Sequence, residues 1–208
     1  KNYSGKKLKY NWDDYPKRFD IINSIIEHKK YSKYLEIGCN DDANFNKIKC
    51  AYKRGVDPEK GGTFKGTSDE FFKKNKDTFE LIFIDGLHTK EQVKKDVENA
   101  LSCLSPNGLI VMHDCIPLRY EHQLAKRKTL HWNGDVWMEF VRLRTLDHLN
   151  LHCILADNGL GIIKKEKNNN KLNLYEDELN KITFKGFLIN YKEWLNVINS
   201  DQLLSILK

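Results

Sequence analysis

The chain has 208 residues with ordinary apolar content, enough for one domain with a full core, so wholesale disorder is excluded. Its net charge is +6, from 35 basic and 29 acidic residues that alternate along the chain. That is the pattern of a solvated surface; a nucleic-acid footprint would cluster on one face. There is no apolar run long enough to span a bilayer, and Lys1–Lys7 does not read as a signal peptide, so a cytoplasmic protein is expected.

In chain order, Phe19, Ile22, Ile25 and Ile26 recur at helical spacing and predict an amphipathic helix over 15–27. Tyr34–Gly38 reads as a short apolar strand ending in glycine, followed by a helical stretch to about Lys49. Arg54–Pro58 is a second strand, closed by Asp57 and a proline. Thr67 and Glu70 have capping-box spacing, with Phe71 and Phe72 behind them. Phe79–Asp85 is almost wholly apolar, as expected of a strand buried on both faces. A second capping box is expected at Thr89 and Gln92, opening a helix with Val93, Val97, Ala100, Leu101 and Leu104 on one face.

After the turn at Pro106–Gly108 comes another buried strand, Leu109–Met112. The polar stretch 117–133 lacks periodicity and reads as an active-site loop or lid. A helix over Val136–Leu146 precedes a hairpin, Leu149–Leu155 with Leu160–Ile163, turning at Asp157-Asn158-Gly159. Apolar residues over 172–208 suggest a helical C-terminal cover on a core of about 15–165, all within a single domain of 1–208. Strands alternating with helices and closed by a hairpin imply a parallel α/β sheet with an antiparallel edge. The five cysteines (39, 50, 103, 115 and 153) show no Cys-x-x-Cys pair, so reduced thiols are expected.

Ligands of open α/β sheets bind at the carboxyl ends of strands. Here four strands end in polar groups: Glu36 with Gly38, Asp57, Asp85 to His88, and His113 with Asp114. Gly38 allows a sharp turn towards a ligand, or is simply a turn glycine. Asp57 stands nineteen residues later, placed to accept both hydroxyls of a ribose or to cap a loop. The loop Gly38-Cys39-Asn40-Asp41-Asp42-Ala43 carries one glycine and two acids. It would repel a pyrophosphate yet tolerate the ammonium and sulfonium of S-adenosylmethionine (SAM), which favours SAM over NAD.

Asp85 and Asp114 end neighbouring strands and can converge on Mg²⁺ or Mn²⁺, while His88 can take a proton. The plainer roles are that Asp85 holds cofactor, His88 starts a helix and His113 bonds backbone. The Asn/Asp-Pro-Pro-aromatic signature of amine methylation is absent, with Asp85-Gly86-Leu87-His88 in its place.

Leu35–Gly38, Gly55–Pro58, Thr67–Phe72, Ile84–Thr89, His113–Cys115 and Gly134–Trp137, in this order, resemble bacterial class I SAM-dependent methyltransferases of the methyltransferase 24 type. These are often encoded near polysaccharide-biosynthesis genes. More distantly, Asp85, His88 and Asp114 resemble the metal-dependent sugar O-methyltransferases and catechol O-methyltransferase. The resemblance implies a Rossmann-like, mostly parallel seven-stranded sheet with an antiparallel edge hairpin. It implies O-methylation of a sugar or other small hydroxylated acceptor in glycan biosynthesis, with no nucleic acid, no membrane span, and a homo-oligomer allowed.

By that resemblance Glu36, Gly38 and Asn40 border the methionine part of SAM, Asp57 holds the ribose, and Ser68 with Asp69 sits near the adenine. Asp85 touches cofactor and, with His113 and Asp114, metal; His88 and Asp85 serve catalysis. Trp132, Asp135 and Trp137 line the acceptor pocket. This chain departs from its distant relatives at His113, where the sugar enzymes usually carry a carboxylate, and at Cys115, where the catechol enzyme has Asn. An NAD-dependent oxidoreductase and a catalytically silent SAM-binding interaction module are the rival readings.

Overall fold

In a computed structural model that describes residues 6–208, helix α1 (Arg18–Lys29) buries Ile21, Ile22, Ile25 and Ile26. Lys1–Gly5, part of the segment judged not to be a signal peptide, lies outside the described residues. The strands are β1 (Lys33–Ile37), β2 (Tyr52–Asp57), β3 (Phe64–Lys65), β4 (Phe79–Ile84), β5 (Leu104–Met112), β6 (Asn150–Leu155), β7 (Leu160–Lys164) and β8 (Val197–Asn199). They form one sheet in the order β3-β2-β1-β4-β5-β7-β6-β8. Strands β1 to β5 run parallel, and β7 lies antiparallel to both β5 and β6.

Helices α2 (Ser68–Lys74), α3 (Lys90–Cys103), α4 (Val136–Leu143), α5 (Glu176–Leu179), α6 (Phe184–Trp194) and α7 (Leu203–Ile206) complete the fold. Side chains alternate across the central strands. Leu35, Ile37, Ile82, Ile84, Ile110 and Met112 join one core with Val97 of α3 and Phe140 of α4. Tyr34, Leu81, Phe83, Leu109 and Val111 join the other with α1. Both faces are covered, which is why β4 reads as an unbroken apolar run.

The sheet has eight strands where seven were expected. Six strands were read individually from the sequence, and the two that were not are the short edge strands β3 and β8, the latter in the segment expected to supply further helices. Three residues show no readable period, and β8 pairs with β6, far away in sequence.

The helix expected after β1 is reduced to a single 3₁₀ turn at Phe45–Lys47. Gly38, Asn40 and Asp42 all take positive φ (88°, 48° and 63°), which a continuous right-handed helix cannot accommodate. The Thr67/Glu70 capping box forms as expected. The one at Thr89/Gln92 does not. Instead, Asp135 accepts the Lys90 backbone N–H at 2.7 Å, and the Gln92 amide donates to Ser68, Asp69 and Asp96. Residues 117–133 form a loop with one 3₁₀ turn, pinned where Asn133 and Gly134 donate backbone N–H groups to the His122 carbonyl. No helix among the described residues is long and apolar enough to cross a membrane.

Candidate active site

The carboxyl ends of β1, β2, β4 and β5 meet the β6–β7 turn at one end of the sheet, around three adjoining cavities. The largest, about 650 Å³, is bordered by Gly38, Asn40, Asp57, Ser68, Asp69 and Asp85. A second, of about 570 Å³, shares Gly38, Asn40 and Asp85 and extends to Glu36 and Arg18. A third, about 200 Å³, lies under the loop between Arg18, Asp85, His88, Asp114 and Trp132.

Gly38 has no room for a side chain: a Cβ there would stand 2.1 Å from the Asp85 carbonyl oxygen. The closeness of the β1 and β4 tips is therefore written into this residue. Asp57 accepts backbone N–H bonds from Asn40 (2.7 Å), Glu59 (2.9 Å) and Lys60 (2.9 Å). Burial pushes its carboxyl up, but these donors outweigh that and hold it below the usual range. Asp57 thus caps the loop and borders the cavity at once. Glu36 accepts from the Tyr34 hydroxyl (2.6 Å) and the Asn44 amide (2.9 Å). Its burial raises the carboxyl to about 7.

At the centre, Asp85 Oδ1 accepts from His88 Nε2 and His113 Nδ1, both at 3.1 Å, and Oδ2 accepts from the Arg18 guanidinium. Asp114 Oδ2 faces His88 Nδ1 and His113 Nδ1 at 3.2 Å each, while Oδ1 accepts the Asn133 amide at 2.7 Å. Asp157, from the hairpin turn, holds Arg18 Nε at 2.8 Å. Burial alone would push the Asp85 carboxyl up, but His113, His88 and Arg18 take it well below the usual range. Burial alone would also lower both imidazoles. The Asp85 bond and the Asp114 and Asp85 charges lift His88 to about 9, and the Asp114 and Asp85 charges raise His113 well above its usual value. His88 Nδ1 also lies 3.0 Å from the Trp132 carbonyl oxygen.

The expected metal ligands do converge: Asp85, His113 and Asp114 place ligand atoms within 4.8 Å of one another. Mg²⁺ or Mn²⁺ nevertheless does not fit the cluster as it stands. Both Asp85 oxygens already accept from Arg18 and the two histidines, and His113 Nδ1 points at carboxylates, so an entering ion would have to displace these partners. Three acids (Asp85, Asp114, Asp157) already face the Arg18 guanidinium and the imidazoles of His88 and His113.

All the sequence-derived cofactor residues border the first two cavities, Glu36 deepest. Of the three residues expected at the acceptor, Trp132 alone borders the third cavity, stacked on the His88 ring (5.0 Å between centroids, 28°). Asp135 is taken up as the α3 cap, and Trp137 is fully buried against Phe187 and Trp194. Sequence reasoning missed Arg18, Asp157, Asn44 and Asn133. Asp157 was visible only as a turn residue and Arg18 only as the start of an amphipathic helix.

Solved structures with the same fold include the S-adenosylhomocysteine-bound methyltransferase of Podospora anserina (16% identity, 72% of this chain and 78% of that one, TM-score 0.55). The SAM-bound O-methyltransferase of Streptomyces achromogenes involved in tomaymycin synthesis is 11% identical over 76% and 82% of the two chains, with TM-score 0.53. An O-methyltransferase of Bacillus cereus, in complex with S-adenosylhomocysteine, is 11% identical over 70% and 79%, with TM-score 0.52. No curated protein matches the sequence significantly. A mostly parallel sheet with an antiparallel edge and acid-tipped strands around a lone glycine defines a Rossmann-like class I methyltransferase fold. Residues 22–115 match the methyltransferase 24 family model, described as a methyltransferase domain. Over that stretch the chain is similar to the family, and the match together with the fold supports a SAM-dependent methyltransferase over the oxidoreductase alternative.

Proposed function

We propose that this methyltransferase, acting as one domain over 1–208 in the cytoplasm, methylates a hydroxyl oxygen of a small acceptor, a sugar or other glycan precursor. The observation that carries the proposal is the polar cavity over Asp85 and His88, with the Trp132 ring on His88 as an apolar wall beside it. The Streptomyces and Bacillus structures, both O-methyltransferases, support oxygen as the target. SAM supplies the methyl group on a sulfonium.

Within this reading Glu36, Gly38 and Asn40 border the methionine end, Asp57 takes the ribose, and Ser68 with Asp69 flanks the adenine. His88, once neutral, takes the acceptor proton, and Asp85 orients its ring through Oδ1. The divalent-ion variant has the convergence of Asp85, His113 and Asp114 as its support, and the Mn²⁺ titration below decides it.

Calorimetry with S-adenosylhomocysteine should give one site, weakened by about 1–3 kcal/mol in Asp57→Ala, as for a charged hydrogen-bonding group left without its partner. NADH binding in the absence of SAM binding would overturn the assignment of these cavities. SAM binding without turnover on any hydroxylated acceptor pool would instead favour the silent interaction module.

A further inference from the structure

We infer that Arg18 is the resident cation of the catalytic cluster, standing against Asp85 where it opposes entry of a divalent ion, so that methyl transfer proceeds without a metal. The inference deepens the proposed function and rests on the cluster being the methyl-transfer site. Arg18 is the first residue of α1 and is fixed at three points. Its guanidinium bonds Asp85 Oδ2, its Nε bonds Asp157 Oδ2 at 2.8 Å, and its backbone N–H donates to the same Asp157 oxygen at 3.0 Å.

A guanidinium stays charged at every working pH, and its planar fork can hold two carboxylates at once. Asp157 reaches it only because the β6–β7 turn projects over the end of the sheet. The two side chains thus form a bridge from the opening helix, through Asp85, to the antiparallel edge. That bridge supplies what a metal would otherwise supply here: a fixed positive charge against Asp85, on the wall shared by the second and third cavities. A divalent ion entering between Asp85 and Asp114 would meet Arg18 as a neighbouring like charge and would find Asp85 Oδ2 taken.

The test is a Mn²⁺ titration of the metal-stripped full chain, with free ion counted by electron paramagnetic resonance and S-adenosylhomocysteine binding measured on the same samples. Wild type should show no stoichiometric submillimolar Mn²⁺ site, and EDTA should leave its turnover unchanged. Arg18→Ala should gain at least about tenfold in Mn²⁺ affinity as the like charge is removed, and the added Asp85→Asn change should abolish the gain. Arg18→Lys, which keeps the charge without the two-way bridge, should bind Mn²⁺ more weakly than Arg18→Ala.

A stoichiometric micromolar Mn²⁺ site in wild type would overturn the inference. So would an Arg18→Ala protein that binds S-adenosylhomocysteine normally yet gains no Mn²⁺ affinity. If Arg18→Ala does not fold, the wild-type and Arg18→Lys titrations decide. Failure of wild type to bind S-adenosylhomocysteine would count against the methyltransferase site itself, separately from any result with Mn²⁺.

Discussion

His88→Ala should lose about 10²–10⁴-fold in turnover while its affinity for S-adenosylhomocysteine stays near that of wild type. Removing the ring leaves Asp85 with its bonds from Arg18 and His113, so the cofactor cavities keep their walls. What disappears is the proposed proton acceptor beside the third cavity. The pH dependence is distinctive because His88 sits at about 9, lifted by the acids around it against the effect of burial. A base works in its neutral form, so kcat/KM should rise with pH, level off above about 9, and fall as pH drops through that value. The variant should lack this ascending limb. A limb near the unperturbed histidine value of about 6.5 would mean that the ion pairs with Asp85 and Asp114 are broken in the working enzyme. Near-normal turnover of His88→Asn would remove the base assignment altogether.

Gly38→Ala should damage both stability and binding. Its φ of 88° disfavours any side chain, and the new Cβ would meet the Asp85 carbonyl oxygen at 2.1 Å, its carbon at 2.5 Å and the Gly86 Cα at 2.7 Å. These are backbone atoms of a buried strand end and cannot swing aside. Relief requires the tips of β1 and β4 to separate, which drags Asp85 off Arg18 and opens the wall between the two larger cavities. Strain and overpacking together give a loss of about 2–4 kcal/mol. For a chain of this size that is a fall of about 5–15 °C in thermal midpoint. Binding of S-adenosylhomocysteine should weaken at least tenfold in the fraction that remains folded. A variant that melts and binds like wild type would show that the close approach at Gly38 is not maintained in solution.

The strand-tip residues that border the cavities were legible because each central strand is an apolar run that ends abruptly. Glu36, Gly38, Asp57, Asp85 and Asp114 stand out against Ile37, Val56, Ile84 and Met112, whose burial explains nothing polar. The cation of the cluster was hidden by two ordinary appearances. Arg18 opens an amphipathic helix, where a basic residue reads as solvated, and Asp157 belongs to an Asp-Asn-Gly turn whose composition already seemed explained. The loop after β1 was misread because Asn40 and Asp42 carry no sign of their left-handed backbone, which short polar side chains tolerate without requiring it. Thr89 and Gln92 had correct capping spacing, but Asp135 reaches the helix end from a distant segment, and no local pattern records that competition.

Hairpin turns are usually where a chain absorbs insertions at little cost. The turn between β6 and β7 has no such slack. Asp157, Asn158 and Gly159 all have positive φ (32°, 64° and 86°), and the carbonyls of Asn158 and Gly159 accept the backbone N–H groups of Ile116 and Cys115. One added residue would rotate Asp157 away from Arg18 and break the clamp to the chain leaving β5. The length of this turn is therefore under the same constraint as a catalytic side chain, and growth of the protein by insertion has to occur elsewhere.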